Sequence, residues 1–257
     1  YFYTIQNKKI MPISAHFTPE FSKEWEINFI QCYPNGQLKH TELCNILQLT
    51  AGLHAELGGL SFSDMQVFHQ AWVLSRMRVE VIDLPKWRDV VTVKTWIVEM
   101  KDSRSVRALE LYLGDQKLAG ALTYWVVINT ELRKPEALAL PFEHFTFYPE
   151  RLPTVKSFEK IDLNVALQFL KHKTILLSDL DIVNHANNVK YLEWCLDGLN
   201  ANVILKNKVQ AFDMNFLREL HWNDEIEIQT SLEENPELMT VTKNGKNSFA
   251  LKLEYSR

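Results

Sequence analysis

His40-Thr-Glu-Leu-Cys-Asn-Ile-Leu47 opens a run, residues 41–57, in which Leu43, Ile46, Leu47, Thr50, Ala51 and His54 recur at helical spacing, and Gly58-Gly59 follows as a stop. Past it the period changes. Residues 71–82, 89–99, 105–113 and 118–129 are rich in β-branched and aromatic side chains, and polar and apolar residues alternate in 78–82 and 91–96, as in half-buried antiparallel strands. The same order returns further on: His185-Ala-Asn-Asn-Val-Lys-Tyr-Leu192 opens a second helical run, predicted over 186–205. Strands are expected at 209–221, 225–232, 238–243 and 248–255, with Asn244-Gly245 as a two-residue hairpin turn. Trp87-Arg-Asp-Val-Val-Thr-Val93 in the first half parallels Trp222-Asn-Asp-Glu-Ile-Glu-Ile228 in the second. A helix laid on an antiparallel sheet, twice, is an α+β plan in which each helix buries its apolar stripe on a sheet face. A single irregular α+β domain is the alternative. Residues 132–162, with Pro135, Pro141, Pro149 and Pro153, separate the repeats, so the organisation is 1–134, a linker 135–162, and 163–257.

Composition narrows the function. At 257 residues and 46% hydrophobic, the chain can bury a sizeable core without disulfides or metal. Its 8 glycines form neither GxGxxG nor GxxxxGK, which removes the common dinucleotide and phosphate cradles. Net charge −4 argues against a generic nucleic-acid binder. The 3 cysteines show no CxxC spacing, and no histidine spacing implies a metal site or metal cofactor. Tyr1–Ile10 lacks the apolar core of a signal peptide and no apolar run reaches membrane-span length, so cytoplasm is the expected location.

The densest polar cluster is Asp179, Asp181, Asn184, His185, Asn187 and Asn188, at a strand-to-helix junction. The first N–H groups of a helix have no partner inside it and carry the positive end of its dipole, a setting that stabilises a carbonyl oxygen gaining charge. A neutral His185 there can act as a base. Asp and Asn are equally ordinary turn and cap residues, and that reading stays open. Glu219, in Phe216-Leu217-Arg218-Glu219-Leu220, is the second candidate: on a strand it would share a face with Leu217, where an apolar interior raises its basicity. A rim glutamate paired with Arg218 or a lysine is the alternative. Cys195, between Trp194 and Leu196, reads as a core residue.

Ser178-Asp-Leu-Asp-Ile-Val-Asn-His-Ala-Asn-Asn-Val-Lys-Tyr191 resembles the motif of the acyl-acyl-carrier-protein thioesterases of plants and bacteria. Trp72–Val79 followed by Leu84–Val91 resembles that family's first-half core. The resemblance implies a double hot-dog fold, one catalytic site in the second half and an acyl-binding first half. It implies hydrolysis of the thioester of fatty acyl-acyl carrier protein, releasing free fatty acid in fatty acid biosynthesis. Asp181, His185 and Glu219 fall on the family's catalytic positions. The family's Asn is Val183 here, which puts Asn184 forward as its replacement, and the family's Cys after the Glu is Leu220. The acyl chain is expected against Leu47, Ala51 and Trp72. The partner is the acidic acyl carrier protein, docked on Arg76, Arg78, Lys86 and Arg88 or on Lys171 and Lys173, with a homodimer as a further candidate. An acyl-CoA thioesterase, a hot-dog dehydratase and a non-catalytic acyl-binding relative are the competing readings.

Overall fold

The computed structural model describes residues 13–206, 209–233 and 235–256. The reading of Tyr1–Ile10 lies outside them. The first half runs β1 (Glu20–Glu26), α1 (His40–Leu57), α2 (Phe62–Gln66), β2 (Gln70–Val81), β3 (Val90–Lys101), β4 (Arg104–Leu113), β5 (Gln116–Asn129) and β6 (Lys134–Pro135). The second runs β7 (Gln168–Thr174), α3 (Asn188–Leu196), α4 (Ala201–Leu205), β8 (Val209–Phe216), β9 (Glu225–Thr230), β10 (Leu238–Lys243) and β11 (Lys246–Tyr255). The architecture is the expected α+β double hot-dog.

The strands join into one sheet in the order β1-β3-β4-β5-β2-β8-β11-β10-β9-β7, with β6 added on β5. The halves meet where β2 pairs antiparallel with β8, from Arg76 opposite Asn215 to Glu80 opposite Ala211. Arg78 sits in that seam, 2% exposed, and bonds three carboxylates: Asp213 (2.5 Å), Glu80 (2.9 Å) and Glu254 (2.9 Å). It is therefore removed from the proposed docking patch: its charge is spent inside the fold.

α1 buries Leu43, Ile46, Leu47, Thr50, Ala51 and His54 against the first half-sheet, and Thr50 accepts a hydrogen bond from Trp25 Nε1 on β1 (2.9 Å). The second helix is not the single rod expected over 186–205. It starts at Asn188, because Asn187 turns its side chain back to cap Val189 N (3.0 Å), and it breaks after Leu196. Asn200 caps a new short helix through Asn202 N (2.9 Å). A Cβ on Gly198 would stand 2.4 Å from Leu170 Cδ2, so the break passes close over β7 with a residue that has no side chain.

The segment between the halves is a strap over the outer face of the sheet. Arg151 lays its guanidinium 3.8 Å from the Trp96 ring and accepts from Trp96 Nε1 through its carbonyl (3.0 Å). Val155 N and Lys156 N donate to Glu80 (2.7 and 3.1 Å), and Ile161 N donates to Asn215 Oδ1 (3.1 Å). The strap thus bonds residues on both sides of the seam. No helix among the described residues is long and apolar enough to cross a membrane.

Candidate active site

The segment before α3 is built as a tight turn around Asp181. Its carboxylate accepts from Val183 N (3.0 Å) and His185 N (3.4 Å), while its own N–H donates to His185 O (2.9 Å). Asn184 closes the turn at φ 64, a left-handed conformation that asparagine tolerates better than most residues. Asp181 therefore orients His185 through the backbone, and the Asp and Asn of the cluster do serve as turn and cap. Asn184 itself is exposed and does not line the cavity beside it; Val183 does.

Glu219 is not on a strand, contrary to the alternation argument. β8 ends at Phe216, where Leu217 N and Arg218 N both turn to Ser248 O (2.9 and 3.1 Å) and carry the chain off the sheet. The next residue but one, Leu220, is fully buried and accepts a hydrogen bond from Ala186 N (2.8 Å). That single backbone bond joins the two segments at positions adjacent to His185 and Glu219. His185 Nε2 lies 3.5 Å from Glu219 Oε2, both side chains a quarter exposed.

Two residues that the sequence does not single out complete the group. Arg133, from the β5–β6 turn of the first half, donates from Nη2 to Glu219 Oε2. His221 meets the His185 ring edge-on, with centroids 4.9 Å apart, and its backbone N–H donates to Asp224 Oδ2 (2.9 Å), which is itself paired with Lys243 (2.6 Å). His221 stands two residues from Glu219, which is a usable signal; nothing in sequence places Arg133 there, since it arrives by way of the β2–β8 seam. Burial is the largest influence on His185 and lowers its pKa; Glu219 and Asp181 oppose that, and the charges of His221 and Arg133 reinforce it. The neutral form of the imidazole is thereby favoured.

The donor atoms of His185, Glu219 and His221 lie within 4.8 Å of one another. Zinc bonds of about 2.0–2.1 Å put tetrahedral ligands only about 3.4 Å apart, so these three would have to contract, with Arg133 already on the carboxylate. Their spacing suits a hydrogen-bonded acid–base group better than a coordination shell.

The group opens into a cavity of about 1010 Å³, walled by both halves: Trp72, Leu74 and Ile128 from the first, Tyr191 and Phe216 from the second. A second cavity of about 570 Å³ lies between α1 and the first half-sheet, and Phe62 and Trp72 line both. Of the expected acyl-chain residues, Ala51 and Trp72 line the second cavity, whereas Leu47 is packed in the core and reaches neither. The first N–H groups of the predicted second helix are mostly spent: Ala186 N serves Leu220 O and Asn187 N serves Asp179 O (2.9 Å), leaving the N–H of Asn188, whose side-chain amide donates to Gln48 of α1 (3.3 Å). Cys195 is fully buried, with its thiol pushed up to about 12, as expected of a core residue.

Two helix-on-sheet halves sharing one sheet, with an imidazole–carboxylate pair on an apolar cavity, define a double hot-dog protein with a hydrolase-like site. The model of the acyl-ACP thioesterase N-terminal domain matches residues 18–142 and that of the C-terminal domain residues 166–256. The chain belongs to the acyl-ACP thioesterase family. It is 25% identical over 247 residues to the chloroplastic oleoyl-acyl carrier protein thioesterase of Coriandrum sativum, covering 86% of this chain and 66% of that protein. It is 30% identical over 192 residues to the chloroplastic palmitoyl-acyl carrier protein thioesterase of Arabidopsis thaliana, covering 68% and 46%. The chain thus spans roughly half to two thirds of the length of the curated relatives it matches. The crystal structure of an acyl-ACP thioesterase from Bacteroides thetaiotaomicron superposes with a TM-score of 0.83 at 23% identity, over 93% of this chain and 98% of that one. The 12:0-ACP thioesterase from Umbellularia californica superposes at 0.77 and 20%, over 93% and 98%. Both share the fold.

Proposed function

We propose that the protein hydrolyses the thioester of a fatty acyl chain carried on acyl carrier protein, releasing free fatty acid. The observation that carries this reading is the His185–Glu219 pair, held by the Ala186–Leu220 backbone bond at the wall of the larger cavity. The acyl chain lies among Trp72, Leu74, Ile128 and Phe216, with the thioester carbonyl against the Asn188 N–H. Glu219 and His185 draw a proton from a water, which attacks the carbonyl carbon; the tetrahedral intermediate expels the thiolate, which takes up that proton. Attack by Glu219 itself, through an anhydride, uses the same geometry. Leu220, where the family has its cysteine, is buried carbon and leaves the carboxylate as the activating group.

The mouth of the cavity suits an acidic carrier. Arg218 and Arg133 stand exposed on its rim, the latter also bonded to Glu219, with Ile182 (90% exposed) on the same lining. Of the other basic candidates, Lys86 and Arg88 are exposed, whereas Lys173 is engaged with Asp179 (3.1 Å). The same rim arginines fit the phosphates of CoA, which is the second reading. A homodimer built by strand addition would have to use β1 or β7, the strands at the two ends of the sheet, and their charged side chains disfavour that route. The sparse cysteines, two of them buried, fit the reducing cytoplasm.

Thiol release from acyl carrier proteins and acyl-CoAs of matched chain length, with Glu219→Gln alongside, tests the proposal. Carrier-linked turnover lost in the variant supports it. Faster turnover of CoA esters moves the handle to CoA, and binding without turnover of either makes the protein an acyl-binding relative.

A further inference from the structure

The sheet holds a second deeply buried arginine, and it is treated quite differently from Arg78. Arg107 on β4 is 6% exposed. Its Nη1 donates to His54 Nδ1 on α1 (2.8 Å) and to Thr95 Oγ1 on β3 (3.2 Å). A guanidinium can only donate, so Nδ1 accepts and His54 is neutral, with its Nε2–H given to Thr18 O (2.9 Å). Burial and the Arg107 charge together hold the His54 pKa down to about 3, so the histidine offers no compensation for the cation. Among the described residues no carboxylate pairs with Arg107. Burial draws its own pKa down only to about 10, which leaves it charged at neutral pH.

A guanidinium carries five N–H donors, and both bonds made here use Nη1. Among the described residues the donors on Nε and Nη2 meet no acceptor, and the side chain lines the second cavity. Leu60, Met65, Trp72, Met100 and Trp125 give that cavity apolar walls, Ser105 lies beside Arg107, and Gln48, Ser61, Ser63 and the exposed Glu56 also line it. Isolated charges are costly to bury; proteins pair them, as this one does at Arg78 with three carboxylates. A buried cation with free donors at the wall of such a cavity is suited to an anionic group carried on an apolar body.

We propose that the second cavity is a receptor for an aliphatic chain bearing a carboxylate, which Arg107 binds through its Nε and Nη2 donors. The carboxylate has two sources with the same chemistry: a free fatty acid, or the far end of an acyl chain that carries a terminal carboxyl group. Phe62 and Trp72, shared by both cavities, form the common wall between this receptor and the catalytic group. The receptor does not depend on the hydrolytic reading, since a binding protein with the same cavity would show it.

The test is equilibrium binding of dodecanoate, dodecanol and dodecanedioate at neutral pH, followed by calorimetry and by the fluorescence of Trp72 and Trp125. A charge-assisted bidentate pair should favour the carboxylates over the alcohol by about ten- to a hundredfold. That preference should vanish in Arg107→Gln and survive in part in Arg107→Lys. Ser105→Leu, which fills the cavity and leaves both Arg107 bonds in place, should abolish binding of all three while the melting curve stays near wild type; it covers the case in which Arg107→Gln does not fold. Equal affinity for alcohol and carboxylate, or no binding at all, overturns the proposal. A second arm compares thiol release from dodecanoyl and ω-carboxydodecanoyl thioesters. Preference for the carboxylated chain, lost in Arg107→Gln, assigns the receptor to substrate. Binding of dodecanoate without that preference assigns it to free fatty acid. Loss of turnover in Glu219→Gln with carboxylate binding intact separates the two proposals.

Discussion

His185 Nε2 and Glu219 Oε2 stand 3.5 Å apart although they lie on different segments, and the bond that sets their spacing is made by neither. Ala186 N to Leu220 O does it, one residue along each chain. Replacing the side chains therefore leaves the segments joined. Glu219→Gln and His185→Ala should each lower kcat by the ~10²–10⁴-fold typical of losing a general acid or base, with far-UV and melting behaviour unchanged. Near-wild-type turnover in either would remove that residue from the mechanism.

Arg133 adds positive charge beside His185 and so helps keep the imidazole unprotonated. Arg133→Gln should move the acidic limb of the kcat/KM profile to higher pH, by less than about one unit, because a charge pair near the surface is worth about 1 kcal/mol or less. Stability should change little for the same reason. A pH-rate profile together with a urea titration checks both halves of the expectation.

Acid should weaken the fold well before the carboxylates protonate. Burial holds His40 near 4 and His54 near 3, against an unfolded value of 6.5. The folded chain then binds fewer protons than the unfolded one below pH 6.5, so stability is full above that pH and falls progressively toward pH 4 and 3. The two shifts correspond to roughly 3 kcal/mol for His40 and roughly 5 kcal/mol for His54 over that window. His54→Gln retains a donor for Thr18 and an acceptor for Arg107, and urea midpoints for it should fall less steeply between pH 7 and 4 than those of wild type.

Arg78→Met would leave Asp213, Glu80 and Glu254 facing one another in the seam, with Asp213 1% exposed. Breaking a buried ion pair from one side costs about 3–5 kcal/mol, and the urea midpoint should drop accordingly. Recovery in the Arg78→Met, Asp213→Leu double variant would show that the stranded charge, rather than lost packing, is the cost.

The pattern of helix and strand is legible where the burying face is continuous: α1 and the strands β2 to β5 and β8 to β11 follow the apolar periodicity closely. It misleads where one residue redirects the chain. Ser248 O captures two successive N–H groups and takes Glu219 off its strand, and Gly198 and Asn200 cut the second helix. Asp181, His185 and Glu219 are visible from the motif and its neighbourhood, whereas Arg133 depends on a sheet-wide register that no local spacing encodes. Arg107 is a further instance: the sequence places it on a strand, and only the packed sheet shows that no carboxylate among the described residues accompanies it.

The β2–β8 ladder has a consequence for what holds the molecule together. A single helix-on-sheet half would end at β2 with a row of unpaired N–H and C=O groups, open to any other chain. Here the second half occupies that row, so the molecule carries its own partner strand, and the strands left at its ends, Glu20–Glu26 and Gln168–Thr174, are studded with charged side chains that discourage further addition. Cutting the strap between the halves would then sever the polypeptide without parting the sheet.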